Sequence, residues 1–144
     1  MTSEIDQYTE AMADLVVRFG ANVQPGQVVA IGAEPGKEQM VRAVAEHAYR
    51  AGAKFVDLSV FDLYLKRARA LYGSADDLGY VPPWVGQRVL ELGELRAARI
   101  SLSGPSAPHA LDDVDPRLIG LDMMPRVAES MTVVNDRTDR KSVV

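Results

Sequence analysis

A strand–helix–strand unit of roughly thirty residues constrains this chain more than any other feature. Val28-Val29-Ala30-Ile31 is a short, all-apolar run rich in β-branched residues, preceded by the turn signal Gln24-Pro25-Gly26-Gln27. Such a run reads as a strand buried on both faces, as in a parallel sheet. Residues 37–51 then carry helical periodicity. Glu38, Arg42, Glu46 and Arg50 stand four apart with alternating sign and form a solvated stripe, while Met40, Val41, Val44, Ala45 and Ala48 supply a buried side. Gly52 ends the helix, and Lys54-Phe55-Val56-Asp57-Leu58 returns as a second strand. Two strands joined through a helix favour a right-handed crossover, which makes them parallel neighbours in one sheet.

The rest of the chain extends this pattern. Ile5, Tyr8, Met12, Leu15, Val16 and Phe19 recur at helical spacing over residues 4–19, with Ser3 as cap and Gly20 as stop. Residues 62–72 read as a helix with Lys66, Arg67 and Arg69 on its outside. Pro82-Pro83-Trp84 opens another, reaching residue 97 with Val85, Val89 and Leu92 inward. Within Tyr80-Val81-Pro82-Pro83-Trp84 the sole Trp is expected to be a packing anchor. Strands are expected near 28–32, 55–60 and 99–103. A last helix spans 116–133, kinked or split by Pro125. The alternation predicts an α/β, three-layer, Rossmann-like domain with a mainly parallel sheet.

Composition excludes several classes. The chain has 144 residues, 47% hydrophobic and 25% charged, values typical of a globular domain. A net charge of −4 with no basic block argues against nucleic acid as a partner. No apolar run approaches the ~20 residues of a membrane span, and no membrane partner is expected. The N-terminus has no apolar signal core, and the chain has no Cys; both fit a cytoplasmic location.

Candidate sites are sparse. Gly32-Ala33-Glu34-Pro35-Gly36-Lys37 follows a strand and opens a helix, where nucleotide folds bind phosphate. The glycine-to-lysine spacing is one residue short of the phosphate-loop pattern, Glu38 replaces the magnesium-binding hydroxyl, and Glu34 repels phosphate. The segment therefore reads as a plain turn. His47 reads as a histidine at the edge of the core. His109 lies near Asp112, Asp113 and Asp115, but the run matches no metal-ligand pattern, and Asp at loop ends commonly caps helices. Ser103 in Leu102-Ser103-Gly104-Pro105 lacks the glycine pattern of a nucleophile elbow. Ligands of parallel sheets bind outside the carboxyl ends of the strands. Glu34, Asp62, Ser103 and Gly104 are accordingly the cleft-edge candidates. No catalytic or metal-binding residue is assigned.

Six stretches carry a resemblance. Arg18-Phe19-Gly20-Ala21-Asn22-Val23-Gln24-Pro25-Gly26-Gln27 is similar to the opening of the thermophilic metallo-aminopeptidase family, the aminopeptidase T and aminopeptidase S group. Tyr49-Arg50-Ala51-Gly52-Ala53-Lys54-Phe55-Val56, Lys66-Arg67-Ala68-Arg69, Tyr80-Val81-Pro82-Pro83-Trp84, Ser101-Leu102-Ser103-Gly104 and Asn135-Asp136-Arg137-Thr138 follow in the family's order. The resemblance implies an N-terminal domain of an enzyme that removes N-terminal residues from peptides. That enzyme uses two divalent ions of the zinc, cobalt or magnesium class. Their Glu, His and Asp ligands, with a neighbouring Tyr, belong to a C-terminal catalytic domain, and none maps onto this chain. No metal is therefore expected here, and the fragment alone is expected to be inactive. Its implied partners are that catalytic domain, a peptide substrate and a possible second copy in a homodimer. A stand-alone α/β module for a nucleotide-like small ligand, or a pure interaction module, is the alternative.

The domain is expected to span residues 1–138, with a sheet short of at least one strand because the family continues from Thr138 into a further strand. Asp139-Arg140-Lys141-Ser142-Val143-Val144 is also the translation of a common short-read sequencing adapter. Residues 139–144 are therefore expected to be a non-native or disordered tail.

Overall fold

The computed structural model describes residues 3–104, 106–124 and 128–141. Its elements are α1 (Glu4–Leu15) running into a π-helical turn (Val16–Gly20), β1 (Val28–Ala33), α2 (Glu38–Arg50), β2 (Phe55–Val60), α3 (Leu63–Tyr72), a 3-10 turn (Ala75–Asp77), α4 (Pro83–Glu94), β3 (Ala98–Leu102), α5 (Pro116–Leu121) and α6 (Ala128–Lys141). The chain forms two compact units, one of Met1–Phe61 with Leu95–Ser106 and one of Asp62–Glu94 with Ala107–Val144. The first holds the sheet with α1 and α2; the second holds α3 to α6.

The sheet has the order β2-β1-β3 with both pairings parallel, as the crossover unit requires. Val29 lies beside Val56 and Ala98, and Ile31 beside Leu58 and Ile100. Val29, Ile31, Ala98 and Ile100, with Val56 partly buried against them, form the core with Ala13, Val17, Val44 and Ala48, while Leu58 is exposed. Burial along β1 alternates strictly, so Val29, Ile31 and Ala33 are buried while Val28, Ala30 and Gly32 are half-buried. The expectation of burial on both faces is thus corrected: within this unit only one face of β1 is fully covered. The opposite face carries Asp57, Ser59, Arg99 and Ser101 beside the small residues of β1, and such residues do not drive burial.

Local chemistry explains the element ends. Ser3 and Asp6 form a reciprocal capping box at α1. Pro25 and Gly26 turn the chain into β1, with Gly26 at φ 78 and Gln27 N donating to Gln24 O at 3.1 Å. Gly52, at φ 93, ends α2, and its carbonyl accepts from Gly26 N at 2.7 Å. A Cβ on Gly52 would lie 3.0 Å from Pro25 Cα, so only glycine lets the two turns meet.

Three expectations about exposure are corrected. Of the six apolar residues read on the first helix, Val16 packs against the core, but Ile5, Tyr8, Met12, Leu15 and Phe19 are 50–71% exposed, while Ala13 and Val17 face inward. Trp84 and Tyr80 are 66% and 61% exposed, so the Trp is not a packing anchor. The α3 cations point inward, as described below. The helix expected over 116–133 with a kink or split is split into two, α5 ending at Leu121 and α6 beginning at Ala128, with Asp122–Met124 following the first. Pro125 and Val127 lie outside the described residues. α6 continues to Lys141, three residues into the segment expected to lie beyond the domain, and residues 142–144 are outside the described part.

Candidate functional site

The carboxyl ends of β1 and β3 bring together three of the four cleft-edge candidates. Glu34 follows β1; its backbone N–H donates to Leu102 O at 3.4 Å. Its carboxylate accepts from Ser106 N at 3.3 Å and from Ser106 Oγ at 3.2 Å. Gly104, at φ 145, follows β3, and a Cβ there would stand 3.4 Å from Lys37 Nζ. Ser103 is exposed just before it. Lys37 occupies the N-cap position of α2 without a side-chain cap. Glu38 accepts from Gly36 N at 3.0 Å, and this hydrogen bond lowers its pKa from the ordinary carboxylate value. The cluster therefore offers one ammonium, two carboxylates and the Ser106 hydroxyl, which donates to Glu34. Asp62 is not part of it. It caps α3 in the other unit, its Oδ1 accepting from Tyr64 N at 2.9 Å.

The helical unit holds an ionic cluster that sequence reasoning missed. Lys66, Arg67 and Arg69 stand on α3, and their chemistry turns inward. Asp122 is buried, with its side chain 2% exposed, 3.6 Å from Lys66 Nζ and 3.3 Å from Arg69 Nη1. Asp122 also accepts from Met124 N at 3.0 Å. Arg69 Nη2 donates to three carbonyls, those of Asp77, Leu78 and Tyr80. Lys66 donates to Met124 O. Arg67 clamps Asp113 bidentately and donates to Ala110 O at 3.0 Å. The Arg67 hydrogen bond holds Asp113 below the ordinary carboxylate pKa, and Asp113 in turn raises that of Arg67. A cavity of about 550 Å³ borders this cluster, lined by Arg69, Asp77, Tyr80 and Pro82. The sequence offered one signal: three cations within Lys66–Arg69 and four aspartates within residues 112–122. Nothing local reveals that partners 46 and 56 residues apart meet.

The histidines are both engaged with carboxylates. His47 Nε2 lies 2.9 Å from Glu10 Oε2 and Nδ1 3.5 Å from Asp14 Oδ1, at the edge of the core where the sequence placed it. His109 Nδ1 lies 2.8 Å from Asp112 Oδ2 on the surface, and Asp115 caps α5. Among the described residues no group of three or more His, Cys, Asp or Glu is placed to hold a metal ion. This donor set does not fit a two-metal centre, which needs several ligands converging on two ions.

A three-stranded parallel sheet with a crossover helix and an attached helical unit defines an α/β protein. Residues 5–143 match the family described as Thermophilic metalloprotease (M29), and the chain belongs to that family. It is 33% identical over 111 residues to aminopeptidase T of Thermus thermophilus, covering 77% of this chain and 27% of that protein. It is 34% identical over 116 residues to aminopeptidase 2 of Geobacillus stearothermophilus, covering 81% of this chain and 27% of the relative. The solved structure of wild-type AmpT from Thermus thermophilus superposes with a TM-score of 0.82 at 27% identity, over 92% of this chain and 34% of that one. The chain thus spans about a quarter of the length of its curated relatives. Among the described residues no helix is long and apolar enough to cross a membrane.

Proposed function

We propose that this chain acts as the N-terminal α/β part of a metal-dependent aminopeptidase that releases N-terminal residues from peptides in the cytoplasm. The observation that carries the reading is a pairing of facts. The family match runs over residues 5–143, yet the chain corresponds to 27% of each relative's length and has no metal-binding cluster among its described residues. The two divalent ions and their ligands are then supplied by polypeptide outside this chain. The residues here contribute packing and part of the wall around the substrate. The alternative of a stand-alone small-ligand module rests on the strand-end cluster, but there Ser106 already satisfies Glu34 internally.

Two proteins test this. One is the chain itself; the other is a chimera in which residues 5–138 replace the matching segment of Thermus thermophilus aminopeptidase T. With zinc, cobalt or magnesium supplied, the chimera is expected to release leucine from a leucyl anilide and to stop when a chelator is added. The chain alone is expected to release none. Metal-dependent release by the chain alone, or a folded, metal-loaded chimera without activity, would overturn the proposal.

A further inference from the structure

Arg69 turns the loop after the 3-10 turn into a fixed wall. Its Nη2 donates to the carbonyls of Asp77, Leu78 and Tyr80 at 2.8, 3.1 and 2.6 Å. Tyr80 N donates back to Asp77 O at 2.9 Å, and Leu78, 1% exposed, anchors the loop inward. The cavity of about 550 Å³ lies against this wall, lined by Arg69, Asp77, Tyr80 and Pro82, all of the helical unit. Its volume falls within the ~300–1,000 Å³ of ligand pockets.

The lining carries chemistry that the fold does not use. The Nη2 protons of Arg69 go to the three carbonyls, and Nη1 faces Asp122 Oδ1 at 3.3 Å. Nε–H and a second Nη1 proton are left without an acceptor among the described residues. Lys66 and Arg69 share the single carboxylate of Asp122, so the two cations carry an excess of positive charge. Arg67 is matched by Asp113 and leaves that excess unchanged. Asp77 is exposed, and its carboxylate makes no ion pair among the described residues, although its own carbonyl touches Arg69. Tyr80 is 61% exposed and Pro82 half-buried.

We propose that this cavity binds a free amino acid with a large apolar side chain, held as its zwitterion. The α-carboxylate meets the remaining N–H groups of Arg69, the α-ammonium meets Asp77, and the side chain lies on Tyr80 and Pro82. The charges select this class of ligand. A simple anion gains Arg69 but is repelled by Asp77, and a simple cation meets the reverse. A zwitterion satisfies both, and its two charges stand close together, as do Arg69 and Asp77. The side chain follows from the wall, because an aromatic ring and a proline offer apolar surface that glycine cannot cover. Arg69 has already ordered the loop, so binding costs little conformational freedom. The ligand is small, and the expected dissociation constant is of roughly millimolar order. An aminopeptidase releases free amino acids, so under the reading above the ligand is a product; the binding itself does not rest on that reading.

Titration of the isotope-labelled 144-residue chain with phenylalanine, followed through backbone amide NMR shifts, tests the site. Shifts should saturate and centre on residues 69–82. N-acetyl-phenylalanine lacks the ammonium, phenylalanine amide lacks the carboxylate and glycine lacks the side chain; each should bind at least about ten-fold more weakly. Asp77→Asn keeps the carbonyl that Arg69 holds. It should weaken phenylalanine about ten-fold and leave N-acetyl-phenylalanine unchanged, since the group it would have met is absent. Tyr80→Ser also keeps its carbonyl, and it should weaken phenylalanine but not glycine. Tyr8→Ser, an exposed tyrosine of the other unit, should change nothing. Circular dichroism checks that each variant is folded. The proposal is overturned if shifts are absent or centred elsewhere, or if N-acetyl-phenylalanine binds as tightly as phenylalanine. Phenylalanine binding indifferent to both Asp77→Asn and Tyr80→Ser overturns it as well.

Discussion

Replacing Asp122 by Asn tests whether the buried ionic cluster holds the helical unit together. The carboxylate is 2% exposed and lies between Lys66, 12% exposed, and Arg69, 28% exposed. Removing one partner of a buried pair costs ~3–5 kcal/mol, because the remaining charge stays buried without compensation. Two features pull the value to the lower end. Arg69 keeps three carbonyl acceptors, and Lys66 keeps Met124 O. Asn also retains an oxygen for the Met124 N–H. The expected loss is therefore about 3 kcal/mol, a large share of a typical net stability of ~5–15 kcal/mol. At a urea slope of ~1–3 kcal/mol per molar, the midpoint falls by at least about 1 M. Trp84 is the only Trp and belongs to this unit, so its fluorescence anisotropy reports the relevant transition, while circular dichroism follows the whole chain. Lys66→Met should cost less in the Asp122→Asn background than in the unaltered chain, since its partner is already gone. A midpoint shift below about 0.3 M, or equal costs for Lys66→Met in both backgrounds, would refute the reasoning.

Two further outcomes follow from the geometry. A Cβ on Gly93 would meet Val133 Cγ2 at 2.7 Å and Cγ1 at 3.0 Å, whereas the atoms nearest a Cβ on Gly86 are those of the Glu129 carboxylate, at 2.4–2.7 Å. Val133 is buried and branched at Cβ, so Gly93→Ala should destabilise by ~1–3 kcal/mol, while Gly86→Ala, facing a flexible side-chain end, should cost less in the same urea assay. Acid should loosen two exposed contacts. Hydrogen bonds from Ser3, side chain first, lower the Asp6 pKa, and those from Arg67 lower that of Asp113. A depressed carboxylate contributes stability that is fully present above its unfolded value of about 4 and is lost as pH falls through the lower folded value. The urea midpoint should therefore fall below about pH 4, and Asp6→Asn and Asp113→Asn should each flatten that fall; unchanged slopes in both variants would count against the assignment.

The sheet and its crossover were legible because their signals are local. Val28–Ile31, the Pro25-Gly26 turn, the periodicity of α2 and the stop at Gly52 each act within a few residues, and the parallel pairing follows from their order. Asp62 was legible as a strand-end residue but not as the cap of α3, since the same position suits either role. The cationic run of α3 was read as solvated because charges are usually exposed. Its burial depends on Asp113 and Asp122, supplied from far along the chain. No window of sequence contains both halves of that cluster.

The exposed stripe on α1 shows why periodicity alone cannot orient a helix. The large residues Ile5, Tyr8, Met12, Leu15 and Phe19 dominate the helix's apolar pattern, yet the face that packs carries Ala13 and Val17. Close approach between helices favours small side chains at the crossing. α1 meets α2 where α2 presents Ala43, Val44 and Ala48, so both helices bring small or compact residues to the contact. Polar groups complete that contact: Gln39 donates to Asp6 at 2.7 Å, and His47 lies against Glu10 and Asp14. Bulky side chains on this face would push α1 away from the sheet and break those polar contacts. The size of a residue is therefore no guide to which face of α1 folds the unit. The packing of small residues settles the inward face and leaves the large ones exposed.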